Sequence, residues 1–495
     1  GIRAVGATSS GSLENLPTIL INLFGSKHSL PLWHFPVMTL RLLLASVFLG
    51  FGPLTTSLLL AEPPNIIFIV ADDMGYADIS SFGAPDIKTP NIDRIGEEGI
   101  KFTNIYAMGP ECTPSRVSFL TGRYPQRVGG MECAIGTGNV GRYDDAVQLA
   151  QAGDLGLPPS HSVLAPKLKD AGYHNVIFGK WHLGYEDKFS PLDQGFDKFI
   201  GFLGGNVDYF RHEELSDIDV YLSDREILNN RKGYTTNLIT QDAIKFLKES
   251  RKDPDTPFFL YLPHAAPHFP FQGPEDDDGT MPSAEDWTKG TRGTYLKMME
   301  GLDQSVGEVL EKIEAIGIAH NTIIVFTSDH GAMKPGLNNP WRDYKGTLFE
   351  GGIRVPLLVR WPAKIAPGST SDQVGSLMDL TKSFLEAAGA ETNELNLDGE
   401  DLFTLALKGE PTVDRTLHWR AKRSPRIWSA TRHGEWKWIR KDDDGHVSEW
   451  LFNLNKDPYE KDNLLERQMT PRQSATHAML KRTHEDWEAS VAPSR

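Results

Sequence analysis

Only two cysteines, Cys112 and Cys133, occur in the 495 residues, so a disulfide scaffold is excluded and a single Cys112–Cys133 bridge is the one pairing open to the chain. No Asn-x-Ser/Thr acceptor is present, which removes support for a glycosylated lysosomal product and favours a bacterial periplasmic or secreted one. Positive charge is in deficit, with 51 Lys and Arg against 66 Asp and Glu and a formal charge of -15. A nucleic-acid partner is therefore not expected, because phosphate backbones are held by net basic surfaces. Any anionic substrate would need a local cluster of cations working against the global field. Internal repeats and low-complexity tracts are absent too.

Long apolar runs are scarce, and the longest stretch, residues 38–61, is broken by Gly50, Gly52 and Pro53. Its cationic start at Arg41 and its small final residue, Ala61, read as a signal peptide, not a stable membrane anchor, although its length approaches that of a span. Leu59 fits the small-residue rule poorly and leaves the cleavage point open. Residues 1–37 read as an upstream extension. What remains is 39% hydrophobic over the whole chain, enough for one large core and a smaller module, with a boundary expected between residues 397 and 398.

Asn65-Ile66-Ile67-Phe68-Ile69-Val70-Ala71 is a continuous β-rich apolar run, the signature of a strand buried on both faces of a parallel sheet. Similar runs begin at His174, Pro257 and Thr322. Between them, residues 163–171, 235–249 and 293–316 show helical spacing; in the last, Tyr295, Met298, Met299, Leu302, Val306, Val309, Leu310 and Ile313 form one stripe. Strands alternating with helices predict an α/β sandwich with a large, mostly parallel sheet and the chemistry beyond its carboxyl edge. After Asp398, Trp436-Lys437-Trp438-Ile439 and Glu449-Trp450-Leu451-Phe452 flank Asp442-Asp443-Asp444-Gly445, predicting an antiparallel hairpin in a small α+β C-terminal domain.

The residues that follow the runs carry the chemistry. The first ends in Asp72-Asp73 and the fourth in Ser328-Asp329-His330-Gly331, so three carboxylates and an imidazole meet at one sheet edge. Each acid alone would serve as a turn or cap; together they make a mostly oxygen-donor site suited to Ca²⁺, Mg²⁺ or Mn²⁺. The second run leads into Lys180-Trp181-His182, where an extended backbone would put Lys180 and His182 on one face. The third leads into His264-Ala265-Ala266-Pro267-His268.

In Cys112-Thr113-Pro114-Ser115-Arg116, Thr113 reads as an N-cap and Pro114 as a first helical residue, with Gly122 just past the end, predicting a short helix over residues 114–121. Cys112 then stands at a helix amino terminus, an anion site to which Arg116 adds fixed charge. The Cys112 to Arg116 spacing is too short for a cysteine-dependent phosphatase loop, and such enzymes need no metal cluster.

Cys112-Thr113-Pro114-Ser115-Arg116 followed by Leu120-Thr121-Gly122 resembles the signature of the type I sulfatases of the alkaline-phosphatase-like superfamily. Asp72-Asp73-Met74-Gly75, Gly179-Lys180-Trp181-His182, Ser328-Asp329-His330-Gly331, Lys345-Gly346-Thr347 with Glu350-Gly351-Gly352-Ile353-Arg354, and Leu451-Phe452-Asn453-Leu454 follow in that family's order. The resemblance implies that Cys112 is oxidised to formylglycine by a maturation enzyme and that its hydrate attacks a sulfate ester. It implies a divalent ion, Ca²⁺ first, on Asp72, Asp73, Asp329, His330 and residue 112. Asp329 would be the base and Arg116 the support; Lys180 and Lys345 would stabilise the sulfuryl oxygens. His268 would be the acid, and His182 would take the proton that releases sulfate. Many relatives have Asn where His330 stands, which gives Mg²⁺ or Mn²⁺ more weight. Related phosphonate and phosphate ester hydrolases share the Asp-His pair and form the rival reading among enzymes; a sulfoglycan-binding protein without catalysis is the rival from another class. The stretch from Gly204 to His212, with Asp208 and His212 as candidate substrate contacts, offers amides, an acid and aromatics suited to a sugar. It is similar to the galactosamine-6-sulfatase and arylsulfatase branch.

Overall fold

The computed structural model describes residues 62–136, 144–215, 221–228, 231–277, 279–407 and 414–492; the expected signal peptide and the extension before it lie outside the described residues. The apolar runs become strands β1 (Asn65–Ala71), β2 (Ile100–Tyr106), β3 (His174–Lys180), β4 (Lys198–Phe202), β5 (Leu222–Ser223), β6 (Glu226–Ile227), β7 (Phe258–Pro263), β8 (Thr322–Ser328), β9 (Arg354–Arg360), β10 (Ser369–Ser371) and β11 (Gly375–Ser376). These form one 11-stranded sheet in the order β10-β2-β9-β8-β1-β7-β3-β4-β5-β6, with β11 beside β2. The stretch β8-β1-β7-β3-β4 is parallel, whereas β9 runs antiparallel to both neighbours. Val70 lies opposite Pro263 on one side and Thr327 on the other. The residues that leave β1, β7 and β8 therefore emerge together at one edge.

All residues of β7 and β8 are buried, as expected where helices cover both faces of a sheet. Ile66, Phe68 and Val70 join one core, and Ile67, Ile69 and Ala71 the other. The helices are α1 (Pro90–Glu97), α2 (Cys112–Thr121), α3 (Asp144–Gln151), α4 (Leu164–Asp170), α5 (Thr235–Ser250), α6 (Arg292–Ala315), α7 (Glu350–Ile353), α8 (Asp379–Ala387), α9 (Leu402–Leu407) and α10 (Pro471–Ser490). The first core takes residues of α2, α4 and α8, the second those of α1, α5 and α6. The whole predicted stripe of α6 is buried, and each such side chain contributes about 1.5–3 kcal/mol.

One local expectation changes. α2 starts at Cys112 with Glu111 at its N-cap, not at Pro114 with Thr113 capping. The Thr113 hydroxyl is used elsewhere, donating to the His182 carbonyl at 3.1 Å and accepting from the Ile135 N–H at 3.2 Å. Gly122 closes the helix with φ 67°, a left-handed conformation that favours glycine.

Strands β12 (Thr416–Arg423), β13 (Arg426–His433), β14 (Trp436–Asp443) and β15 (His446–Asn453) form a four-stranded antiparallel sheet in sequential order. The predicted hairpin is β14–β15, but its turn is only Asp444-Gly445, both at positive φ; Asp442 and Asp443 still pair with Val447 and His446. Such a two-residue turn matches the twist of the strands it joins. Trp419, Trp428 and Phe452 of this sheet pack with Tyr106, Met108, Phe349 and Ile353, so the small sheet seals the flank of the large one beside α7.

Candidate active site

α2 delivers Cys112 to the carboxyl edge of the large sheet. Its Sγ lies 3.3 Å from His330 Nε2, 3.4 Å from Lys180 Nζ, 3.5 Å from Asp72 Oδ1 and 3.7 Å from Lys345 Nζ. Burial acts to raise this thiol, but Lys180, Lys345 and His330 overcome it and hold the group well below its ordinary value. Neither cysteine is in a disulfide, so the bridge open on composition is not made.

Asp72 and Asp73 continue β1, and Asp329 and His330 continue β8. Asp73 adopts φ 61°, which turns its carboxylate back toward the centre, and its N–H reaches Asp329 Oδ1 at 3.3 Å. Arg116, fully buried one turn into α2, sets Nη2 3.1 Å from Asp329 Oδ2 and 3.6 Å from Asp72 Oδ1; its Nη1 donates to the Lys180 carbonyl at 3.2 Å. Lys345 grips both oxygens of Asp73, at 2.6 and 2.9 Å, and Lys180 is paired to Asp72. Three carboxylates thus face three fixed cations. Burial nevertheless pushes the Asp72 carboxyl well above the usual range, with Lys180 only partly opposing it. Burial acts to raise Asp329 as well, but His330 and Arg116 hold it below the usual range.

The donor set fits a divalent ion. Ligand atoms of Asp72, Cys112, Asp329 and His330 all lie within 4.8 Å of one another, as do those of Asp72, Asp73, Cys112 and His268. His330 Nδ1 donates to the Gly331 carbonyl at 2.9 Å, which aims Nε2 into the cluster, the arrangement found in metal-ligating histidines. Burial acts to lower this ring, but Asp329 and Cys112 raise it to about 9, so Nε2 carries a proton that a bound cation would displace.

Two further imidazoles border residue 112. His182 leaves β3 at φ 60° instead of in the expected extended form, yet it still reaches the same centre as Lys180. Its Nε2 donates to the Ile135 carbonyl at 2.6 Å, and its buried Nδ1 has no hydrogen-bond partner among the described residues. Burial, then Lys180, pushes this ring down to about 4, so it stands neutral. A Cβ on Gly205 would come within 2.8 Å of the ring, which is why glycine sits there. His268 donates from Nδ1 to the Phe269 carbonyl at 2.7 Å and accepts at Nε2 from Lys345 Nζ at 3.3 Å. His264, its neighbour in the motif, is buried behind the sheet edge beside Ser305.

These groups floor a cavity of about 610 Å³. Its outer walls carry Tyr185, Asn206, Glu214 and Trp287, and, at one side, Glu111 and Arg423. Asp208 and His212 are not brought to it. Asp208 accepts from the N–H groups of Phe210 and Arg211 and from Gln272 Nε2, and His212 Nε2 meets the Gly233 carbonyl; both shape the loop that presents Gly205 and Asn206. The wall residues were missed in sequence, although Glu111 directly precedes Cys112 and Arg423 lies in the basic run Arg420-Ala421-Lys422-Arg423.

Residues 64–390 match the sulfatase family and residues 339–486 match "N-sulphoglucosamine sulphohydrolase, C-terminal". The chain belongs to the sulfatase family. This sulfatase is 36% identical over 374 residues to N-acetylgalactosamine-6-sulfatase of Mus musculus, covering 72% of this chain and 68% of that one. It is 30% identical to mouse arylsulfatase J, over 82% and 73% of the two chains. The crystal structure of Ps i-CgsB superposes with a TM-score of 0.75 at 30% identity, over 88% of this sulfatase and 94% of that protein. The phosphonate monoester hydrolase of Agrobacterium radiobacter, at 19% identity and TM-score 0.60, shares the fold.

Proposed function

We propose that this sulfatase hydrolyses sulfate esters of a saccharide through a formylglycine made from Cys112 and one divalent cation held by Asp72, Asp73, Asp329 and His330. The observation that carries the reading is the single point at which Cys112 Sγ meets Lys180, Lys345, Asp72 and His330 within 3.7 Å. That sulfur marks the place of the hydrated aldehyde's oxygens. The hydrate supplies two hydroxyls on one carbon, and the cation, when bound, supplies charge that polarises the ester and acidifies the attacking hydroxyl.

The chain's own residues do the rest. Lys180 and Lys345 aim ammonium groups at the position of the sulfuryl oxygens, where negative charge grows. Asp329, fixed by Arg116, is the base beside the attacking oxygen. The Lys345–His268 pair, 3.3 Å apart, delivers a proton to the leaving alcohol. His182 Nδ1, neutral and unpartnered, accepts the proton of the second hydroxyl as sulfate departs. A free lone pair aimed at the nucleophile argues for turnover and against a pocket that only binds.

Hard carboxylate oxygens favour Ca²⁺, while the His330 nitrogen keeps Mg²⁺ and Mn²⁺ in contention. The named relatives make N-acetylgalactosamine 6-sulfate and a sulfated neocarra-oligosaccharide the first saccharides to assay. No helix among the described residues is long and apolar enough to cross a membrane; export through the leader at 38–61, and maturation by a formylglycine-generating enzyme, complete the proposal. Mass spectrometry of the peptide containing residue 112, followed by a panel of aryl sulfate, phosphate and phosphonate esters, tests it. An aldehyde and a preference for sulfate are expected; a preference for phosphorus esters would overturn it.

A further inference from the structure

Arg423 ends β12, in the antiparallel sheet, yet its side chain lines the active-site cavity. One edge of its guanidinium is fixed: Nε donates to Glu111 Oε1 at 2.8 Å and Nη2 to Oε2 at 2.6 Å. Glu111 is itself held by the Ala134 N–H at 2.7 Å and is nearly buried. The other edge is different. Nη1 makes no hydrogen bond among the described residues, and the side chain is 39% exposed. An arginine offers five donors in a rigid fork, and here about half of them are spent on orienting the rest.

Glu111 sits next to the nucleophile, where a bare carboxylate would repel the anionic ester the cavity has to admit. Arg423 offsets that charge, and it lines the same cavity as residue 112. The remaining cavity cation, Lys345, is committed to Asp73 at the floor. Glu214, also in the lining, accepts from the Tyr185 hydroxyl at 3.4 Å. Of the two Lys and Arg side chains that line the cavity, Arg423 is thus the one not engaged at the reacting centre.

We propose that Arg423 forms a second anion subsite, binding a sulfate or carboxylate carried by the same saccharide whose scissile sulfate lies against residue 112. The inference rests on the sulfatase reaction proposed above and specifies its substrate class: a saccharide with at least two anionic groups. The small sheet would then take part in selecting substrate as well as sealing the flank of the large one.

The test uses the matured, metal-loaded enzyme and its Arg423→Ala, Arg423→Lys and Glu111→Gln variants. kcat/KM is measured on a singly sulfated saccharide, on the same saccharide with a second sulfate, and on its uronate-linked counterpart. The expected result is a ratio of doubly to singly charged substrate that falls about tenfold or more in Arg423→Ala, through KM, as for a lost charge-assisted pair. Arg423→Lys should fall between, and Glu111→Gln should keep or raise the ratio. The arm whose ratio falls identifies sulfate or carboxylate as the bound group. A ratio unchanged in Arg423→Ala, or one that collapses equally in Glu111→Gln, would overturn the proposal by showing an ion pair that serves only structure. Absence of turnover on every sulfate would instead sink the proposed reaction; calorimetric titration of wild type and Arg423→Ala with the singly and doubly charged saccharides would still decide the subsite.

Discussion

Two of the buried charge clusters among the described residues differ in what they leave undone. At the sheet edge, Asp72, Asp73 and Asp329 converge on one space with Arg116, Lys180 and Lys345 around it. At the junction of the sheets, Lys437 bridges Glu350 at 2.8 Å and Glu460 at 2.9 Å; Glu350 also receives Tyr106 and Arg354, and Glu460 receives the Glu350 N–H. In the second cluster Lys437 lies between the two acids, and each acid has a charged or hydrogen-bonding partner. In the first, acids, a thiol and imidazoles converge on one space that opens into a cavity, whereas burial lifts an acid in both clusters, Asp72 in the first and Glu460 in the second. Buried charge by itself therefore does not mark a site. Convergence of like charges at the floor of a cavity does.

Substitutions should separate the two clusters cleanly. Cys112→Ala is expected to lower sulfate release by at least about 10³-fold while leaving the fold intact, read by aryl sulfate turnover beside circular dichroism. Lys180→Met should strike kcat as hard and also lower the unfolding midpoint, because buried Asp72 loses its partner. Lys437→Met should spare kcat while destabilising by about 3–5 kcal/mol because two buried carboxylates lose their common cation; chemical denaturation measures this, and an unchanged midpoint would erase the contrast. Chelation should come next. Removing the proposed ion strands the crowded acids and lowers stability by about 2.7 kcal/mol relative to enzyme at a hundredfold excess of metal over Kd, whereas the Glu350–Glu460 junction should not respond.

The smallest effect concerns pH. Burial raises Glu460 to about 7, Lys437 only partly opposing it. A folded value above the unfolded 4.5 means that the folded chain binds the proton more tightly. Its contribution is thus complete below pH 4.5 and fades as pH rises through 7. Glu460→Gln should flatten the dependence of the unfolding midpoint on pH across that window; an unaltered slope would assign the dependence to other groups.

The central strands and the acids that follow them were legible because β1, β7 and β8 are buried on both faces and so read as unbroken apolar runs. The edge strands β5 and β6, two residues each and partly or fully exposed, carry no such signal. Nor does the antiparallel direction of β9, which only long-range pairing decides. In the site, the groups read from chain motifs came together at residue 112, since strand ends and one helix start place them. The cavity wall did not show itself, because Tyr185, Glu214, Trp287 and Arg423 come from separate loops and a second sheet, and no local spacing links them. Asp208 and His212 illustrate the opposite error: polar residues near a site whose hydrogen bonds turn inward to hold their own loop.

All ten residues of α2, from Cys112 to Thr121, are buried. A catalyst that must seize this segment to oxidise the proposed formylglycine precursor would find nothing to grip once the domain has closed. Such a conversion would therefore fall to the nascent chain, in competition with folding itself. Yield of active protein would then be governed by a race between two clocks, and slowing the faster one should raise the matured fraction without altering a single contact in the finished molecule.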